Sequence, residues 1–258
     1  MTIHQHVSAD GTILEVTLDR PKANAIDAAT SRELGAVFVS FMDDPRLRVA
    51  IFTGAGERFF SAGWDLNAAN EGEAFDSDYG PGGFGGFPDL ARRPKPIIAA
   101  VNGMAIGGGF EIAMAADLIV AADHATFALP EANLGMLPDA GSVRLPRLLP
   151  HHVANEVLFA GRRLSADEAR HFGLVNAVVP GASLMETARE IAQRVVRAAP
   201  LSVAAILDIG RHNATTSVAE AMAALRTNDA YRLAIDSEDA IEGPRAYAEK
   251  REPKWEGR

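Results

Sequence analysis

A mixed α/β layered core followed by a helical C-terminal region is the fold the sequence predicts, and two observations carry that prediction. Through the first half, segments rich in β-branched residues alternate with helical ones: an extended piece at 13–18, a helix at 28–42, strands at 49–53 and 97–101. A helix over 110–116, a strand at 118–122 and a second extended piece at 126–129 continue the pattern, so this half reads as repeated strand, turn and helix units. From Ser142 onward strand patterns nearly vanish. Helical spacing predicts helices over 153–159, 166–172, 184–197, 203–211 and 218–235, with Ser165 and Glu168 forming a capping box and Gly173 a stop. Residues 71–88, rich in Gly, acidic and aromatic residues, read as a long loop of the kind that covers a site.

The bulk properties narrow the function classes. With 258 residues, 48% of them hydrophobic, the chain is large enough for a sizeable core. A net charge of -9 argues against broad electrostatic binding to nucleic acid or an anionic membrane, which both require a basic face. No cysteine is present, which excludes disulfides, thiolate metal sites and a cysteine nucleophile. The first twenty residues carry His4, His6, Asp10, Glu15 and Asp19, unlike a signal or transit peptide, so a mature chain starting near Met1 in a reducing cytoplasm is expected. The apolar stretch 96–122 is interrupted by Gly103, Gly107 to Gly109, Glu111 and Asp117 and reads as core rather than as a bilayer span.

Three segments carry residue types suited to chemistry. In Val101-Asn102-Gly103-Met104-Ala105-Ile106-Gly107-Gly108-Gly109-Phe110-Glu111, a buried strand runs through three glycines into a helix. Glycines there let backbone N–H groups approach a ligand at the positive end of the helix dipole; the alternative is a tight strand-to-helix crossover. Glu111 stands in an otherwise apolar helix with no Lys or Arg within a turn, so burial should raise its pKa into a range useful for proton transfer, unless it serves to cap nearby amides. In Ser61-Ala62-Gly63-Trp64-Asp65-Leu66, small residues leave the Trp64 amide accessible, and with the Gly108 amide it would make a two-donor oxyanion hole. In Leu129-Pro130-Glu131-Ala132-Asn133, a second carboxylate follows an extended piece. Two carboxylates on separate elements are what water addition needs, one taking a proton from water and the other delivering one to carbon.

Taken together, Phe60 to Leu66, Ala100 to Gly103 leading to Gly107-Gly108-Gly109-Phe110-Glu111, and Pro130-Glu131 with Leu134-Gly135 resemble the enoyl-CoA hydratase/isomerase, or crotonase, superfamily. Asp19-Arg20-Pro21, Asn24-Ala25 and Arg144-Leu145-Pro146-Arg147 extend the resemblance over the whole chain. Segments 19–27, 61–66, 71–86 and 237–244 are particularly similar to the carnitinyl-CoA dehydratase branch. The resemblance implies a crotonase (ClpP-like) fold of repeated ββα units over 1–195, with 196–258 as a helical region for oligomerisation and site covering. It implies thioester-carbonyl binding by the amides of Trp64 and Gly108 and acid/base roles for Glu111 and Glu131. Lys22, Ala23, Ala62, Asp65 and Leu66 fall where the family contacts coenzyme A, with Gly107 and Pro130 beside the reacting group. No resident cofactor or metal is implied, since coenzyme A arrives as part of the substrate; a homotrimer or dimer of trimers is. One departure stands out: the family's Gly-Gly-Thr run is here Gly141-Ser142-Val143, so the pocket floor is expected to differ.

If the acyl group carries a trimethylammonium, Trp64, Tyr79, Phe84 and Phe87, with Glu71, Glu73, Asp76 and Asp78, are the candidates to meet it. Two readings compete: a hydratase or isomerase of ordinary short-chain acyl thioesters, between which the pair of glutamates favours hydratase chemistry, and a non-catalytic RNA- or protein-binding homologue. The helix at 28–42 has Arg32 as its one basic residue, which disfavours RNA.

Overall fold

A computed structural model describes residues 2–258. Strands β1 (Ile3–Val7), β2 (Ile13–Leu18), β3 (Val49–Gly54), β5 (Ile97–Val101), β7 (Leu118–Ala122) and β10 (Ala177–Val179) form one sheet, in the order β1-β2-β3-β5-β7-β10. The short strands β4 (Phe59–Ser61), β6 (Met104–Ile106), β8 (Thr126–Ala128) and β9 (Leu164–Ser165) form a second, in the order β4-β6-β8-β9. Pairing is parallel except between β1 and β2 and between β8 and β9.

The helices are α1 (Ala28–Asp43), α2 (Leu66–Asn70), α3 (Gly108–Ala115), α4 (Asp139–Leu148), α5 (His151–Ala160), α6 (Ala166–His171), α7 (Leu184–Val196), α8 (Pro200–His212), α9 (Val218–Ala224), α10 (Asp229–Ile235) and α11 (Glu238–Glu249). The chain therefore climbs in ββα steps: β3 to β4 to α2, then β5 to β6 to α3. Next, β7 and β8 lead into a 3-10 turn at Glu131–Leu134. Each step places one strand in each sheet.

Every residue of β3 and of β5 is buried, as parallel strands covered on both faces must be, which is why each reads as a continuous apolar run. On one face of the large sheet, α7 lays Leu184, Ala188 and Ala192, one helical turn apart, against Ile51, Ile98 and Val120. On the other face, Phe38 and Phe41 of α1 meet Phe52, Phe60 and Phe87, with Phe38 and Phe87 edge to face at 4.8 Å between ring centres. Asp27 starts α1 by accepting from the Thr30 amide at 2.7 Å.

Two buried asparagines pin the turn between β3 and β4. Asn102 accepts from the Gly54 amide at 3.1 Å and donates to the Gly56 and Phe59 carbonyls at 2.7 and 3.1 Å. Asn24 donates to the Ala55 and Phe59 carbonyls at 3.1 and 2.9 Å. Main-chain groups that a tight turn leaves unpaired are thereby satisfied without water.

The expected elements of the first half are all found, and Ser165 with Glu168 does form a capping box at the start of α6. Two expectations need correction. The helix expected over 218–235 is two helices separated by a 3-10 turn, because Asn228 caps α10 by accepting from the Tyr231 amide at 2.8 Å and a cap cannot sit mid-helix. The segment around Gly141-Ser142-Val143, expected as a turn, lies inside α4; flanking Pro138 and internal Pro146 mask its helical spacing. The structure also adds β1, which pairs antiparallel with β2. Among the described residues, no helix is long and apolar enough to cross a membrane.

Replacing Asn102 with Ala removes four side-chain hydrogen bonds and takes the Asn102 acceptor from the buried Gly54 amide. We expect Asn102→Ala to lower unfolding free energy by about 2 kcal/mol in a denaturant titration. A loss within experimental error would show that Asn24 and packing hold the β3–β4 turn without Asn102.

Candidate active site

The three segments singled out above emerge from the C-terminal ends of three neighbouring parallel strands. β4 leads to Trp64, β6 to Gly107 and Gly108, and β8 to Pro130 and Glu131. In the register, Ile106 lies opposite Ala128 and Ser61 opposite Ala105, so the three strands end nearly level. Crevices outside the carboxyl ends of parallel strands are where α/β proteins bind ligands. Here the crevice is a cavity of about 120 Å³ with Trp64, Gly108, Glu111 and Glu131 all in its wall.

The segments that carry the two amides lie in contact. After β4 the chain pairs once with Ile26: the Ile26 amide donates to the Gly63 carbonyl at 2.8 Å and the Asp65 amide to the Ile26 carbonyl at 2.9 Å. In a planar trans peptide the N–H points opposite the carbonyl, so the Trp64 N–H, sharing its peptide with the Gly63 carbonyl, faces away from Ile26. Gly63, at φ 80°, lies so close to α3 that a Cβ built on it would stand 2.6 Å from the Gly108 nitrogen. No side chain fits there. Gly108 is the first residue of α3, where helix amides lack an intrahelical acceptor. Ser61 sets the turn by donating to the Asn24 carbonyl at 2.7 Å while accepting from the Gly63 amide at 3.1 Å.

The two carboxylates are held in different ways. Glu111, in the first turn of α3, accepts from the Gly141 amide in α4 at 2.7 Å. Burial is the main reason its pKa rises to about 7, with the charges of Asp139 and Glu131 pushing the same way and the Gly141 amide and Arg144 opposing. Glu131 is 7% exposed; its Oε1 lies against Gly107, and its Oε2 has no hydrogen-bond partner among the described residues. Burial first, then the Asp139 charge, raises its pKa as well. Two carboxyl groups in one cavity, both with their pKa raised by burial, are suited to exchanging protons with a bound molecule.

Of the expected site residues, the cavity brings together Ala62, Trp64, Leu66, Gly107, Gly108, Glu111, Pro130 and Glu131. Lys22, Ala23 and Asp65 lie outside its wall, although Ala23 adjoins it by accepting from the Ala62 amide at 3.0 Å. The Asp65 carboxylate is occupied: it pairs with Arg20 at 2.9 Å and caps α2 through the Asn67 amide at 3.0 Å. Among the residues expected to meet a cation, Phe87 is fully buried in the core rather than in the cavity, and Glu73 accepts from the Trp64 indole at 2.8 Å. Glu71, Asp76 and Asp78 are exposed and outside the wall. The structure adds Phe75 and Asp139 to that wall. The exchanged Ser142 and Val143 are exposed, whereas the retained Gly141 is the residue that touches Glu111, so the floor keeps its contact.

This architecture and site are those of an acyl thioester hydratase/isomerase: a family model described as enoyl-CoA hydratase/isomerase matches residues 8–258, and the chain belongs to that family. Among curated relatives, the carnitinyl-CoA dehydratase of Escherichia coli K12 is 59% identical over 256 residues, covering 98% of each chain. The carnitinyl-CoA dehydratase of Citrobacter koseri is 58% identical over the same coverage. Among solved structures, an enoyl-CoA hydratase from Mycobacterium tuberculosis superposes with a TM-score of 0.91 at 36% identity, covering 100% of this chain and 99% of that one. The enoyl-CoA hydratase of Bacillus anthracis gives 0.89 at 32%, with both chains covered completely. The crotonase fold expected from the sequence is thereby found.

A carboxyl group whose pKa is raised on folding favours the native state while neutral and opposes it once ionised. Glu111 therefore contributes a loss of stability that grows from its unfolded pKa near 4.5 and is complete above about 7. Glu111→Gln, which keeps an acceptor for the Gly141 amide, should match wild-type stability at low pH and exceed it by about 3 kcal/mol at pH 8. Denaturant titrations at the two pH values measure this; a difference independent of pH would contradict the assigned cause.

Proposed function

We propose that this chain reversibly removes water from carnitinyl-CoA to give crotonobetainyl-CoA. The observation that carries the reading is the pair of carboxyl groups, Glu111 and Glu131, lining one cavity together with Trp64 and Gly108. The full-length relatives named carnitinyl-CoA dehydratase support the choice of acyl group.

In the proposed mechanism the thioester carbonyl accepts hydrogen bonds from the Trp64 and Gly108 amides. As the α-proton leaves, charge collects on that oxygen, and each fixed donor stabilises it by about 3 kcal/mol more than it stabilises the neutral carbonyl. One carboxylate takes the α-proton, while the other, protonated, gives a proton to the departing β-hydroxyl and so releases water. Hydration runs the same steps backward. Raised pKa values suit both roles, because burial makes each group hold a proton more readily than an ordinary carboxylate does. Gly107 keeps Glu131 close to the start of α3, and Pro130 starts the turn that presents it. Coenzyme A would run over Lys22, Ala23, Ala62, Asp65 and Leu66, where Lys22 is exposed and offers its ammonium to phosphate.

We further propose that residues 196–258 serve oligomerisation into a trimer or a dimer of trimers. Helices α8 to α10 expose Ile206, Val218, Met222 and Leu233, each more than half accessible, and these apolar side chains are the ones a neighbouring subunit would cover. Native mass spectrometry that finds only monomer at micromolar concentration would refute this.

The catalytic reading is tested by following loss of the unsaturated thioester absorbance with crotonobetainyl-CoA and crotonyl-CoA in parallel. We expect preference for crotonobetainyl-CoA and a fall in kcat of about 10²- to 10⁴-fold in both Glu111→Gln and Glu131→Gln. Preference for crotonyl-CoA would make the protein a general enoyl-CoA hydratase, and activity surviving either substitution would reject the two-carboxylate mechanism.

A further inference from the structure

The cavity carries more than water addition requires. A third carboxylate, Asp139, and four aromatic rings, Trp64, Phe75, Tyr79 and Phe84, share its wall with the two glutamates. The rings form two perpendicular pairs, Trp64 with Phe75 at 5.7 Å and Tyr79 with Phe84 at 5.4 Å between centres, each at 84°. In an edge-to-face pair one ring always leaves a face free to a neighbour, and the face is the electron-rich side. The first pair is fixed in place: the Trp64 indole donates to Glu73, whose carboxylate also accepts from the Ala28 amide at 3.0 Å. The second borders the oxyanion amides, since the Phe84 ring lies directly against Gly108.

Asp139 makes little sense for a neutral acyl chain. It stands in the first turn of α4, its side chain accepts from the Ala140 amide at 2.7 Å, and its charge opposes ionisation of Glu111, Glu131 and Tyr79 alike. An uncharged substrate would leave that repulsion unrelieved. A substrate bringing a positive charge into the cavity would relieve it, and the surrounding aromatic faces suit a cation that has no N–H to donate.

We infer that Asp139 and the rings of Trp64, Phe75, Tyr79 and Phe84 form the binding site for a quaternary ammonium on the acyl chain, and that Asp139 and Phe75 determine specificity for it. The inference rests on the carnitinyl-CoA reading. In that substrate only a methylene separates the ammonium from the β-carbon, so the cation must lie in the same cavity as the carboxylates that act on the neighbouring carbons. The aromatic faces take up the methyl groups while Asp139 offsets the charge at longer range. Because carboxylate and cation are both partly in water at the mouth, the charge pair should weaken with added salt.

The test compares kcat/KM for crotonobetainyl-CoA and for its neutral isostere, in which tert-butyl replaces trimethylammonium, in wild type, Asp139→Asn, Asp139→Glu and Phe75→Leu. Wild type is expected to favour the charged thioester by at least about tenfold. Asp139→Asn and Phe75→Leu should each cut that ratio about fivefold to tenfold, mainly through KM, and Asp139→Glu should restore most of it. A merely structural role for either residue would lower both substrates together and leave the ratio unchanged. That result, in a wild type that does prefer the charged thioester, overturns the inference while sparing the proposed reaction. A wild type with no preference between the isosteres also overturns it, and one that hydrates crotonyl-CoA best removes the carnitinyl-CoA reading as well.

Discussion

Everything in the site depends on three short parallel strands ending level with one another. β4, β6 and β8 hold three residues each, too few to be stable alone, and they are kept in register because each is the second strand of a ββα step whose first strand is locked in the large sheet. That coupling delivers Trp64, Gly108 and Glu131 to one cavity from points in the chain far apart in sequence. The all-apolar strands β3 and β5 therefore matter to catalysis without touching it. Asn24 and Asn102 work on the same link, since both tie down the Phe59 carbonyl at the start of β4. A turn allowed to breathe there would move the Trp64 amide relative to α3.

The second constraint is electrostatic. A carboxylate with no partner is expensive to bury, and Glu131 has an oxygen in that condition. Glu111 is eased by one amide, from Gly141, and that single bond is too little to return its pKa to the ordinary range. The protein accepts lower stability at neutral pH in exchange for two groups that can hold or release a proton there. The same contact explains why an exchange at Ser142 and Val143 is tolerated: their side chains face water, and it is the Gly141 backbone, with no room for a Cβ beside Leu129, that reaches the acid.

What the sequence made legible was chemistry with a local signature. Three glycines entering a helix, a carboxylate among apolar residues and a second one after a proline each announce themselves within a few positions, and all line the cavity. Long strands and amphipathic helices were equally legible, because periodicity needs length. Three-residue strands have no periodicity, so β4, β6 and β8 read only as turns or extended fragments. α4 was hidden by prolines at its border and in its last turn, although Pro146 sits where only one helical hydrogen bond is lost. Whether an aromatic in the 71–88 loop faces core or cavity is a question of tertiary direction, and so Phe87 and Phe75 were easily mistaken for one another's roles.

Asp139 shows why α4 had to be seen before the cavity could be understood. From sequence alone it is one acid among many, and its neighbours Pro138 and Ala140 say nothing of a site. Once α4 is placed, its N-terminal turn sends Asp139 into the cavity wall and the Gly141 amide onto Glu111: one raises the proton affinity of Glu111 and the other lowers it. A single helical turn thus sets the acidity of a group on α3 from both directions, and the balance moves when a positive charge enters beside Asp139. A cationic substrate would weaken the upward push on both glutamates, so that binding and the readiness of the acid/base pair are linked through the same residue. That linkage gives a hydratase with an aspartate in this position a physical reason to treat charged and neutral thioesters differently, even where their reacting carbons are the same.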